Sequence, residues 1–277
     1  FKGFGGGVEK QEIFQVTKTE AFKAYRGEHS AVGSGGITPE DLIEAMDQAD
    51  IEKSLLMTLD LAINPQQRGR TPLESVTSAI TKYPDRFVAG GVGVDPSRGM
   101  VAVREFEKAV KDYGFKSAYV FPTWVATRKP PSDAIYYPIY AKCVELDVTF
   151  CTQVRCGLSP ITPSYVGHPM HIEKVVQDFP ELRIVGFHTG WPWTDELIAL
   201  CIQYPNVYTT TSAFRAEHWT QSFVNYINGP GRNKVIFGTG GPLKDYKDFI
   251  GKIEARGIKD EVKNTLYREN AIKVFKL

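Results

Sequence analysis

The chain has 277 residues, 42% of them hydrophobic and 12% aromatic, enough for one large core and within the size range of a single α/β barrel domain spanning residues 1–277. Lys and Arg number 33 against 32 Asp and Glu, a net charge of +1 with the signs interleaved, which argues against nucleic acid or a charged membrane surface as partner. No apolar run approaches the roughly 18 residues needed to cross a bilayer.

Four cysteines, Cys143, Cys151, Cys156 and Cys201, form no C-x-x-C pair. With no signal peptide visible, they read as free thiols of a cytoplasmic protein. Cys156 lies in a polar stretch just past a strand, and a nucleophilic role there would need a neighbouring base. The chain opens on Phe1, which suggests that a natural start lies upstream.

Strands and helices alternate along the chain. Thr38-Pro39-Glu40-Asp41 is a helix start: a capping hydroxyl, Pro in the first turn and acids at the positive end of the dipole. Leu42, Ile43, Met46 and Ala49 then share one face. A strand is expected at 51–59, ending at Asp60, and a polar loop at 61–71. A helix at 73–82 leads to a strand at 87–94 that ends at Asp95-Pro96. Helix 100–113 leads to strand 116–121, helix 137–146 to strand 148–154, and helix 168–179 to strand 182–187. Helix 195–203 leads to strand 206–211, and helix 218–227 to strand 234–239. Helices at 244–255 and 260–277 close the chain.

Seven strands, each followed by a helix, point to a (β/α)8 barrel. The eighth strand should be the first in order. Gly3 to Gly7 is too glycine-rich to form it, so strand one is expected upstream of Phe1 or in degraded form. An open doubly wound sheet is the alternative, but no G-x-G-x-x-G follows an early strand. Gly90, Gly91 and Gly93 fall inside a strand and read as points of close packing.

Two strand ends attract attention. RIVGFHTG over 183–190 ends on His188, and KVIFGTGGP over 234–242 ends on glycine. Together with PDRFVAG at 84–90, FPELRIV at 179–185, PNVY at 205–208, TSA at 211–213 and RENA at 268–271, these segments resemble the amidohydrolase-related family. The similar branch contains aminocarboxymuconate semialdehyde decarboxylase and related aromatic-acid decarboxylases, hydratases and lactonases.

The resemblance runs from about Thr38 to the end and implies a (β/α)8 TIM barrel with its site at the carboxyl ends of the strands. It also implies a divalent cation, usually zinc, held by ligands on strands one, five and eight, with a strand-six His as acid or base. His188 matches that His. Gln153 falls where the strand-five His ligand belongs, and Gly240 replaces the strand-eight Asp. A catalytic zinc needs about three ligands. The sequence expectation is therefore an enzyme with no metal and no other cofactor, zinc or manganese being the alternative.

His188 is the expected acid/base group. Arg155 and Arg215, at the ends of strands five and seven, could each grip a substrate carboxylate in a bidentate fork, equally well being loop or ion-paired arginines. Asp60 suits polar work better than Asp95, which reads as a turn residue. Trp124 and Trp191 could wall an aromatic substrate, Trp191 more readily than Trp193. The inward or outward direction of Tyr119 stays open. His168 and His171, spaced i, i+3 at a helix start, read as a surface pair; His29 and His218 have no assigned role.

The expected function is decarboxylation, hydrolysis or hydration of a small cyclic or aromatic carboxylate. The alternatives are a metal-dependent enzyme with unusual ligands and a non-catalytic barrel kept as a binding protein. Homodimers or larger homo-oligomers are what the resemblance implies.

Overall fold

The computed structural model describes residues 37–62, 68–157, 162–241 and 245–277. Residues 1–36, and with them Gly3 to Gly7, His29 and any strand one, lie outside the described residues. Helix α1 (Pro39–Asp47) starts as its sequence predicts. Thr38 Oγ1 accepts the Asp41 N–H at 3.0 Å, and the Asp41 carboxylate accepts the Thr38 N–H in return, a capping box.

Two parallel assemblies form the barrel wall. Strand β1 (Ser54–Leu56) pairs with β4 (Phe87–Ala89). Strands β5 (Gly91–Gly93), β6 (Ser117–Val120), β7 (Thr149–Gln153), β8 (Ile184–Phe187), β9 (Val207–Thr210) and β10 (Val235–Ile236) form a continuous parallel sheet in that spatial order. Between them, α2 (Leu73–Lys82), α3 (Met100–Tyr113), α4 (Tyr137–Glu145), α5 (Met170–Asp178), α6 (Thr194–Gln203) and α7 (Gln221–Ile227) are the crossovers. Helices α8 (Tyr246–Glu254), α9 (Asp260–Asn264) and α10 (Asn270–Phe275) follow. The barrel is not closed among the described residues.

The break between β4 and β5 falls at Gly90, inside the expected strand 87–94. A Cβ there would meet Leu56 O at 2.8 Å, and one at Gly93 would meet the Asp60 backbone N at 2.3 Å. The glycines thus allow neighbouring backbone to approach closely. Two expectations need correction. The segment 61–71 is not simply a loop: β2 (Asp60–Ala62) and β3 (Arg68–Arg70) pair antiparallel. The final helix is not continuous, because a π-helical turn, Thr265–Glu269, separates α9 from α10.

Helix α3 shows why the crossovers form. Ala102, Val103, Phe106 and Ala109 recur at helical spacing and are all buried, and Gly114 ends the helix at φ +72°. Strands β6, β7 and β9 are buried at every residue, as parallel strands between barrel interior and helix layer must be. The core is accordingly in two parts. A large outer cluster packs strands against helices. A smaller inner one holds Tyr119, Cys151, Val185, Tyr208 and Ile236, with Val274 and Phe275.

The outer edge of β10 is capped by the chain's end. Asn270 Nδ2 donates to Val235 O at 2.7 Å and Arg232 O at 2.8 Å, and the Phe237 N–H donates to Leu266 O at 2.9 Å. Backbone groups that a further strand would pair are thereby satisfied from the π-turn and α10.

Asp60 belongs to the scaffold. Its carboxylate, 1% exposed, receives Arg98 Nη1 at 2.8 Å and lies 3.4 Å from Arg70 Nε, while Arg98 Nη2 reaches Glu105 at 2.7 Å. Burial pushes the Asp60 carboxyl above its ordinary value, against the pull of Arg70 and Arg98. Removing one partner of a buried pair leaves a charge uncompensated. Arg98→Ala is expected to cost about 3 kcal/mol, read as a lower denaturant midpoint. An unchanged midpoint would show that Arg70 alone neutralises Asp60.

Candidate active site

Parallel register decides which side chains meet. Tyr119 lies opposite Cys151, Cys151 opposite Val185, and Val185 opposite Tyr208; one step on, Gln153 lies opposite Phe187. Residues two apart share a face, so Phe121, Gln153, Phe187 and Thr210 come above the inner cluster at the carboxyl ends of the strands. Tyr119 packs on Phe121 at 4.4 Å and on Phe187 at 4.8 Å between ring centroids. The His188 ring stands 6.3 Å from Phe121 and 6.2 Å from Phe187. These groups line a cavity of about 1090 Å³, shared with Trp124, Gln153, Arg155 and Ser212.

His188 is 5% exposed. Its backbone turns sharply: His188, Thr189 and Gly190 all have positive φ, at 78°, 56° and 79°. Such conformations cost a non-glycine residue on the order of 1–3 kcal/mol and persist where the surroundings over-determine them. Here the restraint is visible. The His188 N–H reaches Ser212 Oγ at 3.2 Å and Thr210 Oγ1 at 3.4 Å, and the ring Nδ1 lies 3.2 Å from Ser212 Oγ.

Gln153 is 1% exposed and sits between two polar neighbours. The network assigns its amide with the nitrogen toward Thr123 Oγ1 at 2.6 Å. The oxygen then accepts from Arg155 Nε at 2.8 Å and Nη2 at 2.7 Å. Arg155 Nη1 donates to Cys156 O at 2.8 Å. A half-buried guanidinium is thus held from two sides at the cavity wall.

The other expected site residues are not brought to this cavity. Arg215 Nη2 pairs with Glu217 at 2.6 Å, so of the two arginines Arg155 alone lines it. Trp191 packs on Phe214 at 5.6 Å and on the outer core, not on the cavity, and Trp124 is the tryptophan of the lining. Asp60 is committed to Arg98, as described above. Asp95 caps a short 3-10 turn by accepting the Ser97 N–H at 2.9 Å. His171 meets Ser132 and Tyr165 O, while His168 lies against Trp193 at 4.6 Å, so the two point to different partners. Burial pushes the Cys156 thiol up, which disfavours the thiolate a nucleophile needs.

Sequence reasoning missed Phe121, Phe187, Thr123 and Thr210 and left Tyr119 undirected. The period of two from Tyr119 to Phe121 and from Val185 to Phe187 was the available signal.

A parallel α/β barrel wall with polar groups gathered at the carboxyl ends of its strands is the arrangement in which barrel enzymes carry their sites. The amidohydrolase family model matches residues 64–277, and the chain belongs to that family. No curated protein matches the chain.

Solved structures with the same fold include the following three. A protein of Bordetella bronchiseptica described as an uncharacterized TIM-barrel protein is 22% identical, with TM-score 0.77, over 96% of this chain and 92% of that one. A dihydroxybenzoic acid decarboxylase from Polaromonas, with bound manganese and the inhibitor 2-nitroresorcinol, is 19% identical, with TM-score 0.68, over 98% and 94%. A 5-carboxyvanillate decarboxylase from Novosphingobium aromaticivorans, complexed with manganese and a nitrobenzoic acid, is 19% identical, with TM-score 0.65, over 85% and 79%.

The expectation of no cofactor is overturned by these structures, in which both decarboxylases carry manganese. Among the described residues, no group of three or more His, Cys, Asp or Glu comes together to hold a metal. Gln153 is occupied by Thr123 and Arg155. Gly240 has φ +77°, and a Cβ there would meet Ala213 N at 2.9 Å. The described residues alone therefore do not fit a complete metal site, and no step below is routed through one.

The same geometry makes position 240 intolerant of any side chain. Gly240→Ala is expected to cost about 1–3 kcal/mol in strain and to lower the melting temperature. Gly251→Ala, in α8 with open space around it, should raise stability by about 0.5–1 kcal/mol. Equal effects at the two positions would contradict the geometry around Gly240.

Proposed function

We propose that the protein is a decarboxylase of hydroxylated aromatic carboxylates. The observation that carries this reading is the meeting of three chemistries in one cavity: an aromatic wall, a restrained guanidinium and a buried imidazole. Two decarboxylases of such acids with the same fold support it.

Tyr119, Phe121 and Phe187 offer faces and edges for a planar ring. Arg155 grips the carboxylate, and its hold by Gln153 limits the entropy lost when it does so. His188 delivers a proton to the ring carbon that bears the carboxylate, a carbon made electron-rich by a ring hydroxyl. The bond to the carboxyl carbon then breaks, its electron pair restores the aromatic ring, and carbon dioxide leaves. Excluding water from the cavity strengthens each of these interactions.

Carbon dioxide release from hydroxybenzoates, measured on the full chain with manganese supplied, tests this. His188→Gln is expected to lower kcat by about 10²–10⁴ with KM little changed. Arg155→Met is expected to raise KM by about tenfold or more, the worth of one charged hydrogen bond. No release from any hydroxylated benzoate, with or without manganese, would overturn the reading.

A further inference from the structure

Tyr119 is 4% exposed, and its ring packs on Phe121 and Phe187 in the cavity lining. Among the described residues nothing hydrogen-bonds its hydroxyl. Two other buried tyrosines are satisfied from within the protein: Tyr136 donates to Lys129 O at 2.8 Å and Tyr140 to Pro131 O at 2.6 Å. Tyr226 and Tyr267 also lack partners. Tyr226, however, is no part of the cavity lining, and Tyr267 packs on Phe237 from the π-turn.

A buried hydroxyl left unpaired is destabilising. On a cavity wall a ligand can supply the missing partner. Burial pushes the Tyr119 phenol well above its ordinary value, against the pull of the Arg155 guanidinium. The group therefore keeps its proton at neutral pH and calls for an acceptor oxygen. Arg155, held by Gln153, takes the carboxylate. The Tyr119 hydroxyl belongs to the aromatic wall, where the substrate's ring and its substituents lie.

We propose that Tyr119 is a specificity-determining residue whose hydroxyl donates a hydrogen bond to an oxygen on the substrate's ring, apart from the carboxylate. The substrate class rests on the decarboxylase reading. A site built to pair a substrate hydroxyl rejects the analogue that lacks it, because the site's own polar group is then left unpaired. Phe121 and Phe187 carry no polar atom on their side chains and offer no such discrimination. The contact therefore selects hydroxylated over unsubstituted aromatic carboxylates.

The test is the affinity of the full chain, with manganese supplied, for benzoate and its monohydroxy isomers, measured by calorimetry beside carbon dioxide release. In the wild type at least one isomer is expected to bind about tenfold tighter than benzoate, the worth of one hydrogen bond. Tyr119→Phe keeps the ring and is expected to lower that preference about tenfold.

Equal binding of benzoate and every isomer by the wild type overturns the proposal, and this measurement needs no variant to fold. A preference unchanged in folded Tyr119→Phe protein overturns it too. So does an equal loss of affinity for benzoate, which would assign the hydroxyl to the carboxylate. Carbon dioxide release beside any of these results leaves the decarboxylase reading standing. The expected preference, lost in the variant but without carbon dioxide release, retains the Tyr119 contact and removes the decarboxylase reading.

Discussion

Strands β6 to β9 pair in parallel with Tyr119, Cys151, Val185 and Tyr208 side by side, and every later feature depends on that register. It sends alternate side chains inward, so that one layer fills the barrel with packed apolar groups and the next supplies Gln153, Phe187 and Thr210. A slip of one residue in any strand would turn these groups toward the helices. The glycines at 90 and 93, the caps on β10 and the Asp60–Arg98 pair all serve to hold that wall in place.

At the carboxyl end of β8 this rigid layer carries strained backbone. His188 and Thr189 both sit in the left-handed region, and the turn is secured by the His188 N–H, shared between a hydroxyl of β9 and one of its following loop. The same hydroxyls reach the imidazole. Backbone restraint and a contact to the ring therefore come from one cluster. Arg155 is restrained separately, through Gln153. The position where the family resemblance implies a metal ligand has become the support of a guanidinium.

Much of this was legible in the sequence. Strand and helix order, the capping box at Thr38, the span of α3 and the strand-end position of His188 follow from periodicity, capping chemistry and motif. Arg155 and Arg215 looked alike in sequence, because an ion pair with Glu217 two residues on is a matter of loop conformation. Trp191 was favoured for contact, but the turn that places His188 in the cavity carries Trp191 back onto Phe214. The meeting of His188 with Thr210 and Ser212 could not be read, since it depends on β8 and β9 lying in register. Manganese in the related decarboxylases was missed because the ligand positions were judged from strands five and eight of this chain.

The proposed decarboxylation requires an aromatic carboxylate held between Arg155 and His188 inside the barrel. A crystal structure of the full chain with a bound hydroxybenzoate tests it most directly. The carboxylate should lie within hydrogen-bond distance of the Arg155 guanidinium, the ring against Tyr119 and Phe187, and the His188 imidazole toward the ring carbon bearing the carboxylate. A ligand held by Arg215, or one with its carboxylate turned away from Arg155, would contradict the account.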